Sequence, residues 1–206
     1  MSVDSAIETE LNREIRAEGA EAASAAALDR AAAEGLVDVA YTIADTPIGG
    51  LLLASTERGL VCVSFHDLSG DAALEQIAER VSPRVVELPR KLDAARFELD
   101  EFFAGRRRSF EVALDWTLID GFRRHVLQSL AAEVGYGEVA SYGELATVAG
   151  KPRAARAVGT AMATNPLPIF VPCHRVVRSG GAIGNYGGGV ERKRFLLDLE
   201  GASRNR

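Results

Sequence analysis

Cysteine is scarce in this 206-residue chain. The two present, Cys62 and Cys173, exclude a disulfide-stapled secreted scaffold and make a reducing, cytoplasmic compartment the expectation. Long apolar runs are missing too: no stretch approaches the roughly 20 uninterrupted residues that span a bilayer. The N-terminus is acidic and alanine-rich and lacks the basic-then-apolar layout of an export signal. Histidine is limited to His66, His125 and His174, scattered relative to the cysteines, so a four-ligand structural zinc site is not expected. Basic charge is in overall deficit, with a formal net charge of −5, which over the whole chain argues against a nucleic-acid partner. What is present is ordinary globular composition, 47% apolar and 26% charged residues. The length suits one or two domains of about 100–200 residues each, with a core that needs neither metal nor disulfide.

The charge is unevenly placed. Residues 1–118 hold 12 basic against 22 acidic side chains, a net of −10, whereas residues 119–206 hold 12 against 7, a net of +5. Lys151, Arg153, Arg156, Arg175, Arg178, Arg192, Lys193 and Arg194 crowd this second half. Such a concentration suits a phosphate-binding face. It suits equally a solvated surface beside an acidic partner domain.

Residues 1–37 hold 11 alanines, with 8 acidic against 3 basic side chains. Val3, Ile7, Leu11 and Ile15 recur every four residues, as in a short amphipathic helix. The remainder through Ala33 has too few large apolar groups to hold itself folded, so the segment reads as a loosely attached extension. Beyond it, 38–43, 50–54 and 60–65 are strand-like around a turn at 46–50, a predicted antiparallel meander. Residues 71–80 and 90–104 read as helices, the second drawing an apolar face from Leu92, Phe97, Phe102 and Phe103. Arg106, Arg107 and Arg108 fall at its end, where they suit compensation of the helix dipole. Residues 110–114 are again strand-like, and 115–120 read as a linker. The expected organisation is thus an extension over 1–37, one domain over 38–115 and a second over 119–206.

The second domain is mostly helical in pattern. Phe122, Val126, Leu130 and Val134 form one stripe, with Gly135 placed as a C-cap. Ser141-Tyr142-Gly143-Glu144 has the layout of a capping box opening a short helix through Ala149. Gly150-Lys151-Pro152 breaks the chain, and Pro152 suits the first turn of a helix running from Arg153 to Thr164 and ended by Asn165-Pro166. Two short helices about a glycine-containing turn, the second carrying arginines, make a helix-turn-helix layout. That second helix bears Ala154, Ala155, Ala157, Gly159, Thr160, Ala161 and Ala163, almost no bulk beside Arg153 and Arg156. Its backbone can press close against a neighbouring helix, or against a narrow DNA groove with Arg156 pointing inward. Periodicity does not choose between the two.

Phe170-Val171-Pro172-Cys173-His174-Arg175-Val176-Val177 is the segment that carries chemistry. Only a thiolate is a strong nucleophile, and a nearby imidazole or positive charge lowers a thiol pKa. Neighbours on an extended strand point to opposite sides, so Cys173 and His174 need a kinked backbone or a bridging water to cooperate. A buried structural thiol beside a surface imidazole is the alternative. Cys62, between Val61 and Val63 in an alternating strand, reads as an inert core residue. The run from Gly184 to Gly189 lacks the lysine and the βαβ setting of a phosphate loop, and reads as a tightly turning loop.

Pro172-Cys173-His174-Arg175-Val176, preceded by Arg156 to Pro166 and followed by Gly184-Asn185-Tyr186-Gly187-Gly188, resembles the methylated-DNA–protein-cysteine methyltransferases, the O6-alkylguanine-DNA alkyltransferases. The likeness runs from about Gly135 to Gly201 and more weakly back to Asp38. It implies an α/β plus α fold: an N-terminal ribonuclease-H-like α/β domain and a C-terminal winged-helix-like, helix-turn-helix domain. It implies single-turnover repair, in which an alkyl group passes from O6 of guanine in double-stranded DNA, and also from O4-alkylthymine, to Cys173. By resemblance, His174 relays the thiol proton through a water, Glu200 supports the imidazole, and Tyr142 donates toward N3 of the leaving guanine. Arg156 fills the space left by a flipped nucleotide, in a DNA-binding set with Lys151, Arg153, Ala155, Ala157 and Gly159. Asn165 braces the turn, and Pro168, Val176, Ile183, Gly184, Asn185, Tyr186, Gly187 and Gly188 line the guanine pocket with it. A target atom inside a duplex demands such flipping.

The resemblance implies no cofactor and no metal, since neither a cysteine-rich zinc module nor N-terminal zinc ligands are present. Damaged duplex DNA is then the partner of a monomer, with no membrane and no obligate protein partner. Leu127 stands where the family often has an aromatic residue, and residues 1–37 have no counterpart. A turning-over Cys–His hydrolase or acyltransferase, which needs an oxyanion hole, and a non-catalytic damage-sensing DNA binder are the competing expectations.

Overall fold

The structure is a computed structural model and describes residues 23, 24 and 26–202. Contacts divide the chain into two units, Met1–Asp38 and Val39–Arg206. In the first, residues 26–33 are helical and a turn follows at 34–35, closed by Leu36 N–H donating to the Ala31 carbonyl at 2.9 Å. Alanine has the highest helix propensity, so local hydrogen bonds form where the sequence suggested none. The stripe of Val3, Ile7, Leu11 and Ile15 lies outside the described residues.

The second unit opens with three strands, β1 (Val39–Ala44), β2 (Leu51–Thr56) and β3 (Gly59–Phe65), paired antiparallel as the meander predicted. Leu51, Leu52, Leu53 and Ala54 in the central strand are all at most 1% exposed, the signature of a strand covered on both faces. Helix α1 (His66–Arg80) begins five residues earlier than its apolar pattern suggests and kinks at Ser69, whose hydroxyl meets that of Ser64 at 2.7 Å. A fourth strand, β4 (Val85–Glu87), pairs parallel with β1, giving the order β3-β2-β1-β4. Three residues carry too little pattern to show this pairing in sequence. A 3-10 turn at Pro89–Leu92 leads into α2 (Asp93–Phe103).

Three readings need correction here. Phe97 is 60% exposed while Leu92, Leu99 and Phe102 face inward, so the apolar face omits it. Residues 110–114 form no strand beyond one bridge between Leu60 and Leu114, because Phe110 turns away to pack on Phe170, ring centroids 4.3 Å apart. Arg107 does not serve the helix dipole: it bonds Glu101 at 2.9 Å and lies 3.8 Å from Glu98 and Glu111. The 115–120 linker is anchored, with buried Asp115 accepting from the hydroxyls of Thr56 and Thr117, each at 2.6 Å.

The helical part comprises α3 (Gly121–Glu133), α4 (Tyr142–Val148), α5 (Ala155–Ala163) and α6 (Val190–Leu199). Val134 rather than Gly135 caps α3, and it is Gly137 that takes positive φ, at +77°; a Cβ there would stand 3.1 Å from the Glu200 carbonyl. The capping box forms as read, with Glu144 N–H on Ser141 Oγ and Ser141 N–H on Glu144 Oε2. Helix α5 starts at Ala155, and Pro152 and Arg153 form the preceding turn. Strands β5 (Ala140–Ser141) and β6 (Val176–Val177) pair in parallel and tie the start of α4 to the segment after Cys173. The two parts meet where Val63 N–H of β3 donates to the Pro166 carbonyl at 2.7 Å and Arg192 donates to Ile48 and Asp67, each at 2.7 Å.

Candidate active site

Asn165, Cys173, His174, Arg175, Lys193 and Glu200 converge at the centre of the helical part. Cys173–Arg175 form a single 3-10 turn, closed by Arg175 N–H donating to the Pro172 carbonyl at 2.9 Å. This is the kink that adjacent functional residues require, since a flat strand would send Cys173 and His174 to opposite faces.

The Asn165 side chain organises the approach to it. Its Oδ1 accepts from Leu167 N–H at 3.0 Å, and its Nδ2 donates to the Val171 carbonyl at 3.0 Å and to Cys173 Sγ at 3.1 Å. Between those anchors, buried Ile169 holds φ at +77°, a conformation a β-branched residue adopts only under constraint.

On the other side of the turn, buried His174 bonds Glu200 Oε1 through Nε2 at 2.9 Å. Its Nδ1 is buried and has no hydrogen-bond partner among the described residues. Arg175, also buried, bonds Glu200 Oε2 through Nε and Oε1 through Nη2, both at 2.9 Å, and the Val134 carbonyl through Nη1 at 2.7 Å. Burial pushes the Glu200 carboxyl up, but the hydrogen bonds from His174 and Arg175 outweigh it and bring its pKa to about 2. Burial lowers the His174 pKa, with Arg175 and Lys193 acting in the same direction against Glu200.

Cys173 departs from the expected low-pKa thiol. Burial pushes it up to about 11, against the Asn165 N–H and the Lys193 charge, which pull it down. The thiol is therefore protonated at neutral pH. Lys193 Nζ donates to the Val176 carbonyl at 2.6 Å, and burial brings its pKa down to about 8, with Cys173 opposing that fall.

A cavity of about 540 Å³ opens beside the sulfur, lined by Cys173, Tyr142, Asn185, Tyr186 and Gly187, by Arg178, and by Ala155, Arg156, Gly159, Met162 and Ala163 of α5. That volume falls in the range of small-molecule sites. The thinly covered face of α5 answers the ambiguity left by periodicity: Val158, Ala161 and Met162 pack inward, whereas a Cβ on Gly159 would meet nothing within 4 Å.

The other expected residues fall as follows. Lys151, Arg153, Arg156 and Ala157 are exposed, with Lys151 Nζ 4.6 Å from the centre of the Phe122 ring. Pro168 and Val176 are buried in the turn and strand that flank the cysteine. Ile183 lines a separate cavity with Val177 and Leu197. A Cβ on Gly184 would touch the Tyr142 hydroxyl at 3.5 Å, and Gly188 lies directly against the Phe65 ring. Of the eight basic residues crowding the second half, four are used internally: Arg175 and Lys193 are buried, Arg192 bonds Asp67, and Arg194 bonds Glu191 at 2.9 Å. Sequence reasoning missed the roles of Arg175, Arg178 and Lys193. For Lys193 a signal existed: helical spacing puts it on the face of Leu196, Leu197 and Glu200. Among the described residues no cluster of His, Cys, Asp or Glu could hold a metal, and no helix is long and apolar enough to cross a membrane.

Comparison with known proteins gives a consistent result. Residues 39–116 match the 6-O-methylguanine DNA methyltransferase ribonuclease-like domain, and residues 121–202 match the DNA-binding domain of the same family. A methylated-DNA–protein-cysteine methyltransferase of Rattus norvegicus is 42% identical over 172 residues, 78% of this chain and 81% of the relative. One from Methanosarcina acetivorans is 40% identical over 162 residues, 79% of this chain and 98% of the relative. The crystal structure of the Mycobacterium tuberculosis O6-methylguanine methyltransferase superposes with a TM-score of 0.68 at 37% identity, covering 80% of this chain and 93% of the other. A structure of the M. tuberculosis protein in complex with DNA matches with a TM-score of 0.68 at 38% identity, over 79% of this chain and 93% of the other.

Proposed function

Because the chain belongs to the methylated-DNA–protein-cysteine methyltransferase family, with its N-terminal α/β domain and C-terminal helical DNA-binding domain, we propose that it repairs O6-alkylguanine in duplex DNA by moving the alkyl group irreversibly to Cys173 Sγ. O4-alkylthymine is the second substrate of this reading. The α/β part spans 38–115, the DNA-binding part 119–206, and the protein works as a monomer in the cytoplasm. The observation that carries the proposal is the position of the Cys173 sulfur in the wall of a cavity bordered by the exposed, sparsely covered face of α5.

In this reading α5 enters the minor groove, Lys151 and Arg153 contact phosphates, and small Ala155, Ala157 and Gly159 permit close approach. Arg156 takes the place of the everted nucleotide, whose base enters the cavity beside Tyr186, Asn185 and Gly187. The resting thiol gives its proton, through a water, to His174 Nδ1, while Glu200 stabilises the imidazolium through Nε2. The Sγ–C bond forms as the C–O6 bond breaks, and the electron pair passes to the guanine. Tyr142 donates a proton toward guanine N3, so that the thiol proton is in effect transferred to the released guanine. Lys193 and the Asn165 N–H stabilise the sulfur anion as it develops.

Mass spectrometry after incubation with methylated duplex tests this directly. The expected result is one added methyl per molecule, on Cys173, with no further repair thereafter. Continued turnover with excess duplex, or a methyl acquired by Cys173→Ser, overturns the proposal. Arg156→Ala is expected to slow reaction with duplex far more than with free O6-benzylguanine, which needs no extrusion; equal losses remove Arg156 from that role.

A further inference from the structure

Glu200 is shared. Its two carboxylate oxygens receive His174 Nε2 on one side and the Arg175 guanidinium on the other, and Gly137 N–H approaches Oε2 at 3.4 Å. Glu200 is 5% exposed, Arg175 7% and His174 0%, so water contributes little to balancing these charges. A buried carboxylate facing only an imidazole draws a proton onto that imidazole. An imidazolium has no lone pair and cannot accept a proton from a thiol.

From this geometry we propose that Arg175 is a positioning residue for proton transfer: its two-point bond to Glu200 balances the carboxylate and keeps His174 neutral, with Nε2–H given to Glu200 and Nδ1 left as the acceptor. The role rests on the alkyl-transfer reading above and extends it to a residue outside the Cys–His–Glu set. Arg175 is held for the task independently of Glu200. Its Nη1 is committed to the Val134 carbonyl after α3, and its guanidinium lies 6.0 Å from the centre of the Tyr136 ring. Tyr136 in turn donates its hydroxyl to the Leu199 carbonyl at 3.1 Å, next to Glu200. The charged and titratable groups around His174 are Glu200 and Lys193 from α6, and Arg175 and Cys173 from its own turn. The two cations favour the neutral ring and Glu200 opposes them.

The test is the rate of benzyl transfer from free O6-benzylguanine to the full-length protein, measured from pH 5 to 9 in wild type, Arg175→Gln and Arg175→Lys. Loss of the guanidinium favours the protonated ring, so the acidic limb of Arg175→Gln is expected about one to three pH units higher than in wild type. The loss at pH 6 is then about tenfold or more and recovers as pH rises. Arg175→Lys, which keeps the charge but loses the fork, falls between the two. A variant profile that superimposes on wild type after scaling overturns the inference, because a purely structural residue lowers the rate equally at every pH. Should Arg175→Gln fail to fold, ring-nitrogen NMR of wild-type His174 decides instead: a neutral Nε2–H tautomer at pH 7 supports the role, and an imidazolium overturns it. Failure of wild type to take up any benzyl group sinks the alkyl-transfer reading itself, whereas uptake with an unshifted Arg175→Gln profile sinks this inference alone.

Discussion

Cys62 lies mid-strand in β3 and Cys173 in the tight turn after Pro172, and both are nearly closed to solvent, 3% and 5% exposed. Burial pushes both thiols up, Cys62 to about 12 and Cys173 to about 11. Desolvation alone acts on Cys62. Around Cys173 the same penalty is opposed by the Asn165 N–H, the Lys193 charge and the backbone of the turn. The lesson is that a reactive buried thiol need not be ionised at rest. What sets it apart is a neighbourhood already arranged for its anion, at the edge of a cavity that a substrate can enter.

Exchanging the two cysteines in turn gives the largest contrast. Cys173→Ser is expected to lose alkyl uptake altogether, measured as mass gained from methylated duplex, while Cys62→Ser keeps one methyl per molecule. Asn165→Ala removes the N–H on sulfur together with two braces of the turn. It is expected to slow transfer about 10- to 100-fold, and to cost about 1–3 kcal/mol in denaturant unfolding. Lys193→Met makes the surroundings of Cys173 more like those of Cys62. Its thiol should then ionise nearer pH 12 than 11, with roughly tenfold slower alkylation by a small halide at pH 8.

Acid reports on one side only. Glu200, with a folded pKa of about 2 against an ordinary 4.5, contributes stability above pH 4.5 that is lost as the pH falls toward 2, about 3 kcal/mol in all. The stability difference between wild type and Glu200→Gln should therefore shrink across that window, read by urea unfolding. The smallest effect is expected from Cys62→Ala, about 1 kcal/mol of stability and no change in transfer rate. A slowed transfer in that variant would break the distinction between the two thiols.

Local signals were legible where they depend on a few adjacent residues. Ser141 and Glu144 cap α4 as their spacing requires, Asn165-Pro166 follows the end of α5, and Pro172-Cys173-His174 marks the site. Signals that depend on remote partners were not. Val85–Glu87 becomes a strand only because β1 offers an edge, and Phe110 leaves the sheet because Phe170 is there to receive it. The charge tally of the second half overstated its basic surface, since Arg175 and Arg192 find partners 25 and 125 residues away.

Composition and short-range order were enough to state that this chain holds a helix-turn-helix, one cysteine suited to chemistry and another suited to a core. They were not enough to state that Cys173 is a protonated thiol, that His174 keeps one ring nitrogen unpartnered, or that Arg175 and Lys193 are buried. Those properties are electrostatic, and they depend on which charges lie within a few ångströms once water is removed. Side chains from Asn165 to Glu200 acquire those distances only when α5, the 3-10 turn and α6 close on one another.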